Sequence, residues 1–308
     1  MKMTRRGFVQ SMSMAAMSSS FAWKQPTKQI PIAFSTLGCP SWNFTKILDF
    51  AKQHGFAAVE LRGLQGNLDL PSHPIFAADH LAETKRAIGA HALRIACVSS
   101  STEVGESDPE KRAKGFADAR RFIDLASSLG APYVRVFGRS SDSEHPIVPG
   151  ADLKKEAAAG LHELGEYAGP KNVMVLIESH DDFCSTSVLQ EVLSRADSPH
   201  VGLLWDAFHT YVGSNEAPEV TFRALRQWIR HTHLKDAVGE GENRKYVLTG
   251  RGNIPVRQQI EVLRAGEYQG YYCFEWEKVW HPDLEDPEIA IADYARVVKG
   301  YLGDSNAR

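Results

Sequence analysis

From Ile30 to Leu302 the chain alternates two hydrophobic patterns. Short, continuous apolar runs stand at 31–35, 58–62, 94–99, 133–137, 173–178, 202–206, 231–235 and 271–276. Most end in a polar residue, which is the pattern of parallel strands covered on both faces. Between them apolar residues recur at helical spacing. Phe44, Ile47, Leu48 and Ala51 form one such stripe, and Phe116, Ala119, Phe122, Ile123 and Ala126 form another. Leu153, Ala157, Leu161 and Leu164 repeat it, as do Val256, Ile260 and Leu263, and then Ile291, Tyr294 and Val298. Gly55, Gly130, Gly266 and Gly300 follow helical stretches, where a left-handed cap is expected. Eight strand–helix units in a chain of this length predict a single α/β domain, a (β/α)8 TIM barrel over 30–308. A doubly wound open sheet would carry a glycine-rich turn after its first strand. Ser35-Thr36-Leu37-Gly38-Cys39-Pro40 is no phosphate fingerprint.

Composition narrows the function classes. Of 308 residues, 43% are hydrophobic and 24% charged, enough apolar content for a sizeable core and far from a disordered composition. Basic residues number 35 against 38 acidic, so the basic excess of a nucleic-acid binder is missing. No run of 18 apolar residues exists to span a membrane. Cys39, Cys97, Cys184 and Cys273 are scattered without a C-x-x-C pair and are expected as free, buried thiols.

Residues 1–29 do not share the alternating pattern. Thr4-Arg5-Arg6-Gly7-Phe8-Val9-Gln10 precedes a weakly apolar stretch from Ser11 to Ala22, and together they resemble a bacterial twin-arginine export signal. The resemblance implies a periplasmic or otherwise exported protein, with the twin-arginine machinery as a partner; without a working signal the chain would stay cytoplasmic. That route carries folded proteins, which suits an enzyme that takes up a metal before export.

In a (β/α)8 barrel, functional side chains sit at the C-terminal ends of the strands. Strands five to eight end in Glu178-Ser179-His180, Asp206-Ala207-Phe208-His209, His233-Leu234-Lys235-Asp236 and Glu275-Trp276-Glu277. Three carboxylates at one depth are costly to bury without a cation. Glu178, Asp206, His233 and Glu275 make an oxygen-rich set with one nitrogen, which predicts one divalent metal ion. Mn²⁺, Mg²⁺ or Co²⁺ suits that set better than Zn²⁺ does, though Zn²⁺ is possible. By strand alternation Glu277 is taken to face away from Glu275. Gly250-Arg251-Gly252-Asn253 reads as a tight turn and not as a phosphate loop.

These residues resemble the sugar-phosphate isomerase/epimerase proteins with a xylose isomerase-like TIM barrel, over about Ile30 to Leu302. The resemblance rests on Ala33–Pro40, Gly55–Gly63, Trp205-Asp206-x-x-His209, His233-Leu234-Lys235-Asp236 and Phe274-Glu275-Trp276-Glu277. It implies metal ligation by Glu178, Asp206, His233 and Glu275. It also implies substrate contacts from His180 and His209, and from Glu60 on the substrate side. Lys235 is a candidate for a substrate oxygen, or pairs with Asp236. Among Trp42, Trp205, Trp276 and Trp280, Trp276 is the candidate for a sugar-facing wall.

The expected activity is that of a metal-dependent sugar isomerase or epimerase. Glu178 and Glu275 would act as catalytic carboxylates, removing a proton beside a carbonyl held by the metal. A lyase or dehydratase acting on a keto-sugar or inosose would share that first step. A zinc-dependent abasic-site endonuclease is disfavoured by the charge balance and the single metal set, and a non-catalytic sugar-binding barrel by the presence of every ligand. The expected partner is a small-molecule sugar, phosphorylated or not, and an oligomer is possible. If residues 1–29 direct twin-arginine export, a reporter fused to them is secreted and Arg5→Lys/Arg6→Lys blocks secretion. Unchanged secretion of the double variant would exclude that route.

Overall fold

The computed structural model describes residues 29–139 and 148–303. The expected export segment therefore lies outside the described residues, apart from Gln29. Eight parallel strands close into a barrel: β1 (Ile32–Ser35), β2 (Ala58–Leu61), β3 (Arg94–Glu103), β4 (Tyr133–Phe137), β5 (Met174–Glu178), β6 (Val201–Asp206), β7 (Ile229–Leu234) and, last in the ring, β10 (Tyr272–Phe274). β10 pairs with both β7 and β1, which completes the closure. The intervening β8 (Asp236–Val238) and β9 (Lys245–Val247) form a separate antiparallel hairpin beyond β7. Nothing in the hydrophobic pattern signalled that hairpin.

The helices form the outer layer. They are α1 (Phe44–Gln53), α2 (Leu81–Ala90), α3 (Pro109–Leu129), α4 (Ala151–Ala168), α5 (Thr186–Ala196), α6 (Ala207–Ser214), α7 (Pro218–Leu225), α8 (Val256–Ala265) and α9 (Pro287–Tyr301). The predicted stripes are their buried faces: Ile47, Leu48 and Ala51 in α1, and Phe116, Ala119, Phe122, Ile123 and Ala126 in α3. Asn43 caps α1 and Asp108 caps α3, each accepting backbone N–H groups of the first turn. Gly130 ends α3 in the left-handed conformation, as expected. Two cap expectations are corrected. Gly266 has φ −87° and Glu267 takes the left-handed position instead. α9 runs through Gly300, and the left-handed glycine after it is Gly303.

Burial separates two cores. The main one, between sheet and helices, holds Phe34, Val175, Ile177, Leu203, Trp205 and Phe274. Their chain neighbours Ala33, Leu176, Leu204 and Cys273 belong to two small clusters, which fill the barrel interior. Because strand residues alternate faces, residues two further along from these inner ones also point inward. Ser35, Glu178, Asp206 and Glu275 stand at those positions. The interior is thus apolar at its floor and charged at its C-terminal mouth. All four cysteines are buried and free. No helix among the described residues is long and apolar enough to cross a membrane.

The loop after β7 is organised by one carboxylate. Asp236 accepts the backbone N–H groups of Gly250 (2.8 Å) and Gly252 (2.9 Å) on Oδ2, and those of Ala237 (2.9 Å) and Ile254 (3.2 Å) on Oδ1. A Cβ on Gly252 would lie 2.1 Å from Asp236 Oδ1, so only glycine fits. The Gly250–Asn253 segment is therefore a turn wrapped around the last residue of the His-x-Lys-Asp element.

Candidate active site and metal cluster

Register brings the mouth residues level. Asp206 is the pairing partner of His233 across β6 and β7, and His233 is that of Cys273 across β7 and β10. The Glu275 N–H donates to the Leu234 carbonyl at 3.2 Å, continuing the ladder past the end of β10. As a result, ligand atoms of Glu178, Asp206, His233 and Glu275 all lie within 4.8 Å of one another, and all four residues are buried. Donor atoms that share one cation at about 2.0–2.6 Å must lie within about that spread.

His233 sits at the centre. Its Nδ1 is 2.7 Å from Glu178 Oε1 and 3.2 Å from Glu275 Oε1, with Asp206 Oδ2 at 4.0 Å. Its Nε2 is 2.8 Å from Glu60 Oε2. Burial disfavours the charged ring, but the carboxylates of Glu275, Glu60 and Glu178 together raise its pKa well above the usual histidine value. A metal ion at Nδ1 would displace that proton, so metal affinity should rise with pH.

Lys235 is the second hub. Its Nζ lies 2.8 Å from Asp206 Oδ2, 2.5 Å from Glu275 Oε2 and 2.6 Å from Glu277 Oε1. Its partners are these carboxylates; Asp236, the alternative partner, is engaged with the loop. Arg135 Nε stands 3.1 Å from Glu178 Oε2. Among the described residues, the carboxylates joined in this network (Glu60, Glu178, Asp206, Glu275 and Glu277) have Arg135 and Lys235 as paired permanent cations, with Arg62 acting from further away. The remaining charge falls to the His233 ring or to an added divalent ion. Burial pushes the Asp206 carboxyl up to about 6 despite Lys235, and its Oδ2 is sealed from water with no aligned hydrogen-bond donor, as is Glu178 Oε2. Carboxylate oxygens of Glu178, Asp206 and Glu275 gathered around one imidazole nitrogen fit a hard divalent cation.

The other expected site residues fall in three places. His180 and His209 stand at the mouth, with ring centroids 3.9 Å apart. His180 Nδ1 is 2.9 Å from Asp181, and His209 Nε2 is 3.7 Å from Asp206. Burial and the neighbouring His180 and Lys235 hold His209 well below the usual histidine pKa. For His180 the desolvation is outweighed by Asp181 and Glu178, and its pKa rises.

Glu60 was expected on the substrate side but lies beneath the cluster with no exposed surface. Its carboxylate is taken by Ser35 (3.0 Å), His231 (2.9 Å) and His233 (2.8 Å). It orients the His233 ring from below. Trp276 is 1% exposed, stacked on Phe274, and its indole N–H donates to the Glu285 carbonyl at 3.0 Å. The tryptophan that does line the cleft is Trp280, 52% exposed.

Above the cluster opens a cleft of about 400 Å³, lined in part by Arg62, Arg135, Glu178, Glu275, Glu277 and Trp280. That volume suits a small polyhydroxylated ligand. Glu277 faces this cleft together with Glu275, contrary to expectation. The paired strand ends at Phe274, and alternation itself returns to the same face every second residue. Arg135 was also missed, although an arginine inside the apolar run Tyr133-Val134-Arg135-Val136-Phe137 is a signal of an inward charge partner. His231 was missed too, two residues before His233 and so on its face.

The architecture and the cluster define the class: a (β/α)8 barrel with a carboxylate–histidine set at its C-terminal mouth. The family model for the xylose isomerase-like TIM barrel matches residues 48–298, and the chain belongs to that family. An inosose dehydratase of Clostridium botulinum (strain Eklund 17B / Type B) is 26% identical over 283 residues, covering 82% of this chain and 90% of its own. Among solved structures, the probable 3-DHS dehydratase AsbF of Bacillus anthracis superposes with a TM-score of 0.72 at 18% identity, over 88% of this chain and 99% of that one. D-allulose 3-epimerase from Methylomonas sp., in complex with D-allulose, gives a TM-score of 0.69 at 18% identity, over 89% and 97%. The likeness to these two structures is one of fold.

Carboxylates that orient a metal-binding histidine typically contribute 10–100-fold in metal affinity. Glu60→Gln should therefore weaken Mn²⁺ binding by about 10–100-fold in calorimetric titration, with the barrel still folded by circular dichroism. Unchanged affinity would mean that Glu60 does not support a metal-binding imidazole.

Proposed function

We propose that this protein is a metal-dependent lyase that removes water from a keto-polyol of the inosose type. The observation that carries the reading is the convergence of Glu178, Asp206, His233 and Glu275 within 4.8 Å beneath a cleft of ligand size. The inosose dehydratase relative, matched over most of both chains, supports the lyase outcome. Those four residues would hold the divalent ion, which when bound supplies Lewis acidity at a carbonyl oxygen.

The chain's own groups perform the rest. Glu275, at the cleft floor with Oε2 held by Lys235, is one candidate to take the proton from the carbon beside the carbonyl; Glu178, fixed by Arg135, is the other. The C–H electron pair becomes the new double bond, and the hydroxyl on the next carbon leaves with its own bonding pair. His180, held by Asp181 and more readily protonated than an ordinary histidine, stands at the rim to protonate that hydroxyl, which departs as water. His209, held neutral, is a hydrogen-bond partner for a substrate hydroxyl.

A second reading, epimerisation, shares the first step and rests on the fact that both Glu178 and Glu275 line the cleft. One carboxylate would withdraw the proton and the other return one to the opposite face, with no water lost.

Incubating the Mn²⁺-loaded protein with an inosose in D₂O and weighing the product separates these outcomes. Dehydration yields a product lighter by one water. Epimerisation yields a product of unchanged skeleton carrying deuterium, and would overturn the lyase reading in favour of the second. Neither change across inososes and ketoses, neutral or carrying a carboxylate or phosphate, would refute both. Glu275→Gln should lower turnover by about 10²–10⁴-fold, the usual contribution of a positioned base.

A further inference from the structure

Two guanidinium groups on the β2–β4 side of the cleft carry N–H donors that this chemistry does not use. Arg62 follows the end of β2, is 5% exposed, and lines the cleft. Its NH2 donates to Ser101 Oγ at 3.0 Å, while its NH1 is sealed from solvent with no hydrogen-bond partner. Among the described residues no carboxylate lies within ion-pair distance of Arg62. Arg135, in β4, is 1% exposed and lines the same cleft. Its guanidinium lies over the Phe137 ring, 3.9 Å from the centroid, and its Nε faces Glu178 at 3.1 Å. Its NH1, too, is buried without a hydrogen-bond partner.

A buried guanidinium with unspent N–H groups is a costly arrangement unless something arrives to meet it. The two cations also repel each other: burial and then the charge of Arg135 pull the Arg62 pKa down to about 10, against the opposing pull of Glu275, Glu178 and Glu60. A neutral hydroxyl could accept one N–H, but it would leave that repulsion in place. A carboxylate or phosphate offsets it and matches the planar donor geometry of arginine. Arg135 is paired with Glu178 at 3.1 Å, whereas Arg62 feels Glu275, Glu178 and Glu60 only from beyond ion-pair distance. Arg62 is therefore the more diagnostic of the two.

We propose that Arg62 and Arg135 form an anion-binding subsite, so that the substrate is a keto-polyol carrying an acidic group, carboxylate or phosphate, held away from the reacting carbons. The inference rests on the reading of this cleft as a keto-polyol site and narrows its substrate class.

The test is equilibrium binding to the full-length, Mn²⁺-loaded protein, with two matched pairs of cyclic polyols as probes. Quinate is compared with its neutral methyl ester, and myo-inositol 1-phosphate with myo-inositol. The anionic member of at least one pair should bind about tenfold tighter or better, the usual scale of a charge-assisted hydrogen bond. The pair showing the larger gap identifies the acidic group. Arg62→Gln should erase most of the preference and Arg62→Lys should restore part of it, with thermal melting confirming that both variants fold. If neither anion is preferred, or if Arg62→Gln keeps the wild-type preference, the subsite does not exist. Binding needs no turnover, so an anion preference without loss of water would overturn only the lyase reading. Water loss from a neutral inosose with no anion preference would overturn only this one.

Discussion

One imidazole is tied at both nitrogens, and most of the site depends on it. His233 Nε2 is held from below by Glu60, itself fixed by Ser35 and His231, while Nδ1 faces Glu178, Asp206 and Glu275 above. Burying several carboxylates around one ring is unfavourable unless positive charge is supplied. Lys235 and Arg135 supply part of it, and the remainder falls where the four ligand atoms meet. The interior of the barrel is arranged in tiers for this purpose: mostly apolar side chains at the floor, then the Glu60–His231–His233 layer, then the acidic mouth, then the cleft.

Much of this was legible in the sequence because two periodicities carried it. Continuous apolar runs ending in polar residues located all eight barrel strands, and helical stripes located the buried faces of α1, α3, α4, α8 and α9. Strand-end position alone then brought Glu178, Asp206, His233 and Glu275 together, because a closed parallel barrel fixes both the depth and the facing of a strand's last residue. The Asp236–Gly252 contact likewise explains why the His-x-Lys-Asp element and a distant glycine pair occur in one chain.

What was misread depended on facts outside those periodicities. Glu60 ends its strand like a cleft residue, but it packs under His233, and only the tertiary contacts reveal that depth. Glu277 was lost by applying strand alternation beyond the end of the strand, and in the wrong sense. Trp276 and Trp280 are equivalent as residue types; one fills the core and the other borders the cleft, because the chain turns sharply between them. The β8–β9 hairpin left no trace, since its strands are three residues each, too short for a periodicity to show. Arg62 and Arg135 were visible as charges near or within strands, but their unspent donors became apparent only once their neighbours were known.

A second set of possible ligands lies one tier lower, comprising Glu60, His231, His233 and Cys273, and it shares His233 with the first. We assign the cation to the upper set, where three carboxylates surround one imidazole nitrogen, and take Glu60 and His231 as supports. Crystals of the Mn²⁺-loaded protein, with anomalous diffraction locating the metal, would decide between the two tiers. One peak is expected, within about 2.6 Å of ligand atoms of Glu178, Asp206, His233 and Glu275. A peak on the Glu60–His231–Cys273 side of the ring, or no ordered metal at saturating Mn²⁺, would contradict this assignment.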